Sequence, residues 1–67
     1  MDTKRMGETL RNLRGARTQI EVANACDITV QALSSYERGE RIPRDEVKIR
    51  LAAFYGMSVQ DLFFATA

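Results

Sequence analysis

The chain has 67 residues, of which 45% are hydrophobic and 28% charged, and its formal net charge is +1, which is the composition of one small globular domain. A single cysteine excludes an internal disulfide framework, and the absence of histidine removes the commonest metal ligand and the commonest general base. No apolar run approaches the ~20 residues that span a membrane, and no signal-peptide core follows the polar N-terminus, so we expect a cytoplasmic, non-catalytic protein without cofactor or metal that acts through a binding surface.

Apolar residues recur at three- and four-residue spacing, which is the period of an α-helix, and no alternating strand pattern occurs. Thr18 and Glu21 have the spacing of a capping box and predict the start of a second helix. Thr29 is a favourable N-cap for a third helix, and Gly39 supplies the left-handed residue that ends it. We therefore predict five helices with approximate limits Thr3 to Arg14, Thr18 to Cys26, Thr29 to Glu37, Asp45 to Tyr55 and Ser58 to Phe64.

Short loops between five helices predict a compact all-α domain. The only cysteine, Cys26, lies on an inward face, and we interpret it as a small buried apolar group because no second cysteine or histidine could activate it. The remaining inward positions follow the helical period. They are Met6, Leu10, Leu13, Val22, Ala23, Ile28, Leu33, Tyr36, Val47, Leu51, Phe54, Leu62 and Phe63.

The segment 19–36 has the organisation of two short helices joined by a tight turn. The turn at Asp27 is too short for the helices to run antiparallel, so they must cross steeply. The crossing requires a small residue where the backbones meet, which Ala23 provides, and a residue that tolerates positive φ, which Asp27 does. This spacing predicts a helix-turn-helix formed by the second and third helices.

Three stretches, at residues 18–23, 28–29 and 33–43, resemble the phage-repressor and Cro-like (XRE) helix-turn-helix family, and residues 56–63 are similar to its closing helix. The resemblance covers essentially the whole chain. It implies a five-helix, lambda-repressor-like DNA-binding domain that usually acts as a homodimer on an operator. Two departures are Asp27, where the family usually has glycine, and the shortened connection at residues 15–17, which could change where Arg17 points.

The resemblance places base-reading positions on the third helix. Gln31 can pair with adenine through two hydrogen bonds, Val30 can contact a thymine methyl group, and serine hydroxyls can donate or accept. The alternative for the serines is a purely polar surface, and DNA shape could supply part of the specificity. The expected base-reading set is Val30, Gln31, Ala32, Ser34 and Ser35.

Phosphate contacts are expected at the start of the second helix and around the loop after the third. In the family, the glutamine at the position of Gln19 binds phosphate, and the alternative is an ordinary helix-start residue. The arginines near Pro43 form a candidate backbone clamp, and the alternative is a solvated face because Glu40 lies among them. The expected phosphate contacts are Gln19, Arg14, Arg17, Arg38, Arg41 and Arg44.

Two further expectations concern pairing and assembly. The family joins an arginine late in helix one to the glutamate of the third helix, and the matching pair here is Arg14 and Glu37. Phe63 and Phe64 lie about 100° apart on a helix, so they cannot both face one core. Phe64 and Met57 are therefore candidate dimer contacts, and the alternative is partial burial under the N-terminal segment.

Two classes of function are compatible with the sequence. The first is a prophage- or mobile-element-type repressor, encoded by a bacterium or phage and acting at the nucleoid, that binds a palindromic operator in double-stranded DNA as a homodimer. The second is a helix-turn-helix module that binds a protein partner, such as an antitoxin-like or assembly subunit. An antirepressor or other protein could also bind a repressor. Residues 1–44 carry eight Lys or Arg and six Asp or Glu, whereas residues 45–67 carry two and three, so the proposed DNA-facing half is only weakly basic.

Overall fold

The computed structural model describes residues 2–64, and these residues form five helices and no strand. The predicted all-α fold and its five helices are confirmed. α2 ends one residue earlier than predicted, and the last helix is a single wide turn of π type. The helices are α1 (Thr3–Arg14), α2 (Gln19–Ala25), α3 (Val30–Glu37), α4 (Asp45–Tyr55) and α5 (Gln60–Phe64).

Side-chain caps define where most of the helices begin. Thr18 and Thr29 each accept a hydrogen bond from the backbone N–H three residues later, at 3.1 and 3.0 Å. Asp2 and Ser58 do the same before α1 and α5, at 3.1 and 3.0 Å. α4 has no side-chain cap, but two acidic residues in its first turn complement the helix dipole.

The turn between α2 and α3 contains the only described non-glycine residue with positive φ. Asp27 has φ of 56°, in the left-handed region that aspartate tolerates better than most residues. The Ile28 N–H donates to the Ala23 carbonyl at 3.0 Å and closes the turn. The steep crossing expected of a helix-turn-helix therefore forms with aspartate in place of glycine.

The hydrophobic core lies among all five helices, and α3 packs mainly against α1 and α2. Leu10, Leu33 and Leu51 are fully buried at its centre. Three residues that we predicted to face inward are only half-buried and pack against the core: Leu13, Ile28 and Phe54. Cys26 is buried, as expected for a small apolar group.

A glycine in the middle of α1 allows α1 and α3 to approach closely. A Cβ atom on Gly7 would lie 2.8 Å from the carbonyl carbon of Glu37 and 2.9 Å from the carbonyl oxygen of Tyr36. Both neighbours are backbone atoms, so no side-chain rotation could relieve the contact. Gly7 therefore fixes the distance between α1 and the last turn of α3.

Candidate nucleic-acid interface

The exposed face of α3 presents a short set of side chains. Val30, Gln31, Ser34 and Ser35 fall within about 140° around the helix axis, opposite the buried Leu33 and Tyr36. Gln31 is exposed, and Val30 is 36% exposed. This face can offer one carboxamide, one branched apolar side chain and hydroxyl groups to a ligand.

Two residues of the expected base-reading set are engaged within the protein. Ala32 is half-buried and packs against the core. Ser34 Oγ accepts a hydrogen bond from Nη1 of Arg38. The remaining members of the set are Val30 and Gln31, which are exposed, and Ser35, which is half-buried.

A buried carboxylate connects the three N-terminal helices. Glu37 is 3% exposed; its Oε2 accepts from Arg14 Nε at 2.8 Å, and its Oε1 accepts from Arg14 Nη2 at 3.0 Å and from Gln19 Nε2 at 2.9 Å. The hydrogen bond to Glu37 is the main cause that raises the pKa of Arg14, and burial opposes it. This network holds the end of α3 against α1 and the start of α2.

The same network includes two residues that we expected to contact phosphate, Arg14 and Gln19. The third nitrogen of the Arg14 guanidinium, Nη1, donates to the carbonyl oxygen of Arg17 at 2.8 Å, so all three of its nitrogens are used within the protein. Arg14 therefore pairs with Glu37 as expected, and a phosphate contact from its half-buried guanidinium stays a prediction. The Gln19 carboxamide is likewise turned to Glu37, while it still lies in the first turn of α2.

The remaining arginines differ in their partners. The guanidinium of Arg17 lies 4.0 Å from the Glu21 carboxylate and 5.4 Å from the centre of the Phe54 ring, so this side chain extends towards α4. Arg41 is exposed, with its guanidinium 5.7 Å over the ring of Tyr36. Around the loop between α3 and α4, three arginines are exposed: Arg38, Arg41 and Arg44.

An apolar surface between α4 and α5 was only partly predicted. Ile49 and Phe64 are 60% and 47% exposed, whereas Met57 is half-buried and packs against the core. Ile49 was not among the predicted interface residues, although the helical period places it opposite the inward stripe of Val47 and Leu51. We call the groove lined by Asp45, Lys48, Ile49, Val59 and Phe64 the α4–α5 groove.

Lys48 contributes the cation of this groove. Its side chain is only 11% exposed, and its Nζ lies 4.7 Å from the ring centre of Phe64 and 3.9 Å from a carboxylate oxygen of Asp45. The ammonium is thus placed over an aromatic face beside an acid. The rim of the α4–α5 groove therefore carries one positive and one negative charge.

The hydroxyl of Tyr55 is buried and has no hydrogen-bond partner among the described residues. Burial, with a smaller contribution from the negative charge of Glu37, raises the pKa of Tyr55 to about 12. Because the folded state disfavours the phenolate, ionisation of Tyr55 does not affect stability below pH 10, and stability falls as the pH rises from 10 towards 12.

We expect Tyr55→Phe to leave the free energy of unfolding at pH 7 unchanged or to raise it by up to about 1 kcal/mol, because it removes an unpaired buried hydroxyl. Between pH 10 and 12 the variant should lose less stability than the unchanged protein. Urea unfolding at a series of pH values measures both effects. A large loss of stability at pH 7 would mean that the hydroxyl has a partner.

Comparison with known proteins gives one positive result. A family model described as a helix-turn-helix domain matches residues 5–63. Neither a curated protein nor a solved structure gives a significant match. Within residues 2–64, no helix is long and apolar enough to cross a membrane, and no cluster of three His, Cys, Asp or Glu side chains could hold a metal ion.

Proposed function

Because the chain belongs to the helix-turn-helix domain family, of the XRE-like Cro/C1 type, we propose that it is a transcriptional regulator that reads DNA sequence by placing α3 in the major groove. The observation that supports this most directly is the outer face of α3, where the side chains of Gln31 and Val30 are exposed. The family is one of DNA-binding domains, so the finer proposal concerns which side chains read bases and how the protein assembles.

The chemistry of that face favours sites rich in A·T pairs. The Gln31 carboxamide can donate to N7 and accept from N6 of adenine, and the methyl groups of Val30 can contact the methyl group of thymine. Ser35 can donate or accept and so adds little discrimination. Arg41 and Arg44 contact phosphates on either side of the groove, together with the backbone amides at the start of α2.

The regulator acts as a homodimer in this proposal, through the α4–α5 groove. Ile49 and Phe64 supply exposed apolar surface, and the opposite charges of Asp45 and Lys48 allow two copies related by a twofold axis to complement each other. Two copies of α3 would then enter successive major grooves about 34 Å apart. A palindromic operator with half-sites about 10 base pairs apart follows, as for a prophage-type repressor.

Selection from a random duplex library tests this function. The purified protein is mixed with the library at moderate salt, and the retained DNA is sequenced. Enrichment of a palindrome with half-sites about 10 base pairs apart is the expected result. If only weak, salt-sensitive retention without enrichment is found, sequence-specific DNA binding is wrong, and the exposed apolar surface would point to a protein partner.

Within the enriched site, we expect Gln31→Ala to weaken binding by about 1–3 kcal/mol at one base position and to relax the preference there. Arg44→Ala is the matched control, because loss of a phosphate contact weakens binding to all sequences and reduces the salt dependence by about one charge. Competition assays with single-base variants of the site distinguish the two. An equal loss on every sequence for Gln31→Ala would remove it from the base-reading set.

A further inference from the structure

The last turn of α3 carries an arginine whose three guanidinium nitrogens are all occupied. Arg38 Nε and Nη2 donate to the two carboxylate oxygens of Glu40 at 3.1 and 3.0 Å, and Nη1 donates to Ser34 Oγ. Arg38 and Glu40 are 51% and 58% exposed, so the pair is open to solvent. We call these three side chains the Ser34–Arg38–Glu40 cluster.

The cluster lies on the same side of α3 as the proposed base-reading residues. Arg38 follows Ser34 by four residues, which places both on the face that carries Val30 and Gln31. A carboxylate offers an arginine the same two-oxygen geometry as a phosphate. The pairing is strong enough to raise the pKa of Arg38 and to lower the pKa of Glu40.

We propose that Glu40 competes with a DNA phosphate for Arg38, so that the Ser34–Arg38–Glu40 cluster lowers the affinity of the protein for DNA; this inference rests on the proposed DNA-binding function. Ser34 holds the guanidinium from the other side and acts here as a positioning residue instead of a base reader. The Glu40 carboxylate thus occupies the place on Arg38 that a DNA phosphate would take. Arg38 becomes a phosphate contact only when Glu40 releases it.

The salt dependence of DNA binding provides a measurable test of the proposal. A phosphate contact normally releases a condensed cation, and this release is the source of the salt dependence of DNA binding. In this protein the Glu40 carboxylate that Arg38 leaves behind takes up a cation in turn. Arg38 therefore adds little to the salt dependence while Glu40 is present, in contrast to Arg41 and Arg44.

The test is Glu40→Gln, which removes the charge and keeps the shape of the side chain. Binding is measured by fluorescence anisotropy with one random-sequence duplex and with the most enriched duplex from the selection. We expect about twofold to fivefold tighter binding to both duplexes, because phosphate contacts do not depend on sequence, and a salt slope steeper by about one. An exposed ion pair contributes little to folding, so circular dichroism should show an unchanged fold.

Two comparisons separate release of Arg38 from a general loss of negative charge. Glu8→Gln makes the same change of charge on the exposed surface of α1, and it should change neither quantity by as much. In an Arg38→Gln background, Glu40→Gln should no longer steepen the salt slope and should lose most of its gain in affinity. A gain that persists in that background, or that equals the gain from Glu8→Gln, overturns the inference.

DNA binding by the unchanged protein distinguishes failure of the Glu40 proposal from failure of the proposed DNA-binding function. If it binds the enriched duplex but Glu40→Gln has no effect, the role of Glu40 is wrong and the DNA-binding function stands. If neither protein binds either duplex, both proposals are wrong.

Discussion

Arg14→Met is expected to lower the free energy of unfolding by about 3–5 kcal/mol, the largest effect of any substitution considered for this protein. The methionine keeps most of the aliphatic packing of the arginine but removes its charge. Glu37 is then left buried, with Gln19 as its remaining side-chain donor. Native domains are stable by only about 5–15 kcal/mol, so much of the folded population could be lost at moderate temperature.

The matched control is Arg38→Met, which makes the same chemical change at the exposed pair with Glu40. Because both members of that pair are about half exposed, the control should lose no more than about 1 kcal/mol. Urea unfolding followed by circular dichroism measures both variants. Equal losses for Arg14→Met and Arg38→Met would contradict the role of burial at Glu37.

A double variant separates the cost of an unpaired charge from the contribution of the pair itself. Replacing both Arg14 and Glu37 with methionine removes the buried charge as well as its partner. We expect the double variant to recover most of the stability that Arg14→Met loses. Recovery would show that the pair serves mainly to fix the geometry of α3 and contributes little net stability. A double variant as unstable as Arg14→Met would assign the loss to packing.

Gly7→Ala is expected to lower the free energy of unfolding by about 3 kcal/mol, at the upper end of the range for overpacking. Alanine is the better helix former by about 1 kcal/mol, and this gain is smaller than the cost of moving two helices apart. The added Cβ would meet backbone atoms of Tyr36 and Glu37 under 3.0 Å away, so α1 or α3 must shift.

Gly56→Ala provides the comparison for this substitution. Gly56 has φ of 68°, and a Cβ atom there would meet nothing within 4 Å, so its cost of about 1–2 kcal/mol comes from backbone conformation alone. Thermal unfolding of the two variants measures the difference. If Gly7→Ala were as stable as the unchanged protein, the close contact of α1 with α3 would not be required for folding.

The sequence predicted those features of the fold that depend on local spacing. Caps such as Thr18 and Thr29 define helix starts, because a side-chain oxygen and the N–H three residues later are close in any chain that turns into a helix. The inward stripes followed from the helical period. The left-handed turn at Asp27 followed from the length of the connection between two helices.

The features that the sequence did not reveal depend on contacts between distant segments. The helical pattern alone does not predict that Gly7 lies against the backbone of Glu37, thirty residues away. The engagement of Ser34 by Arg38 and the burial of Lys48 against Phe64 are likewise products of side-chain direction, which spacing alone does not determine. The hydrogen bond from Arg14 to the Arg17 carbonyl is a further contact that the spacing of the residues does not predict.

The attachment of α3 through Glu37 has a consequence for how this protein could evolve. The residues that hold the helix in place lie at its C-terminal end and on its inner side, whereas the side chains of Val30, Gln31 and Ser35 make none of the hydrogen bonds to Glu37. The residues at these three positions can therefore be replaced without breaking the hydrogen bonds that attach α3. If α3 reads DNA as proposed, single substitutions at these positions would give new target preferences, and lineages would diverge in the genes they control while they retain one architecture.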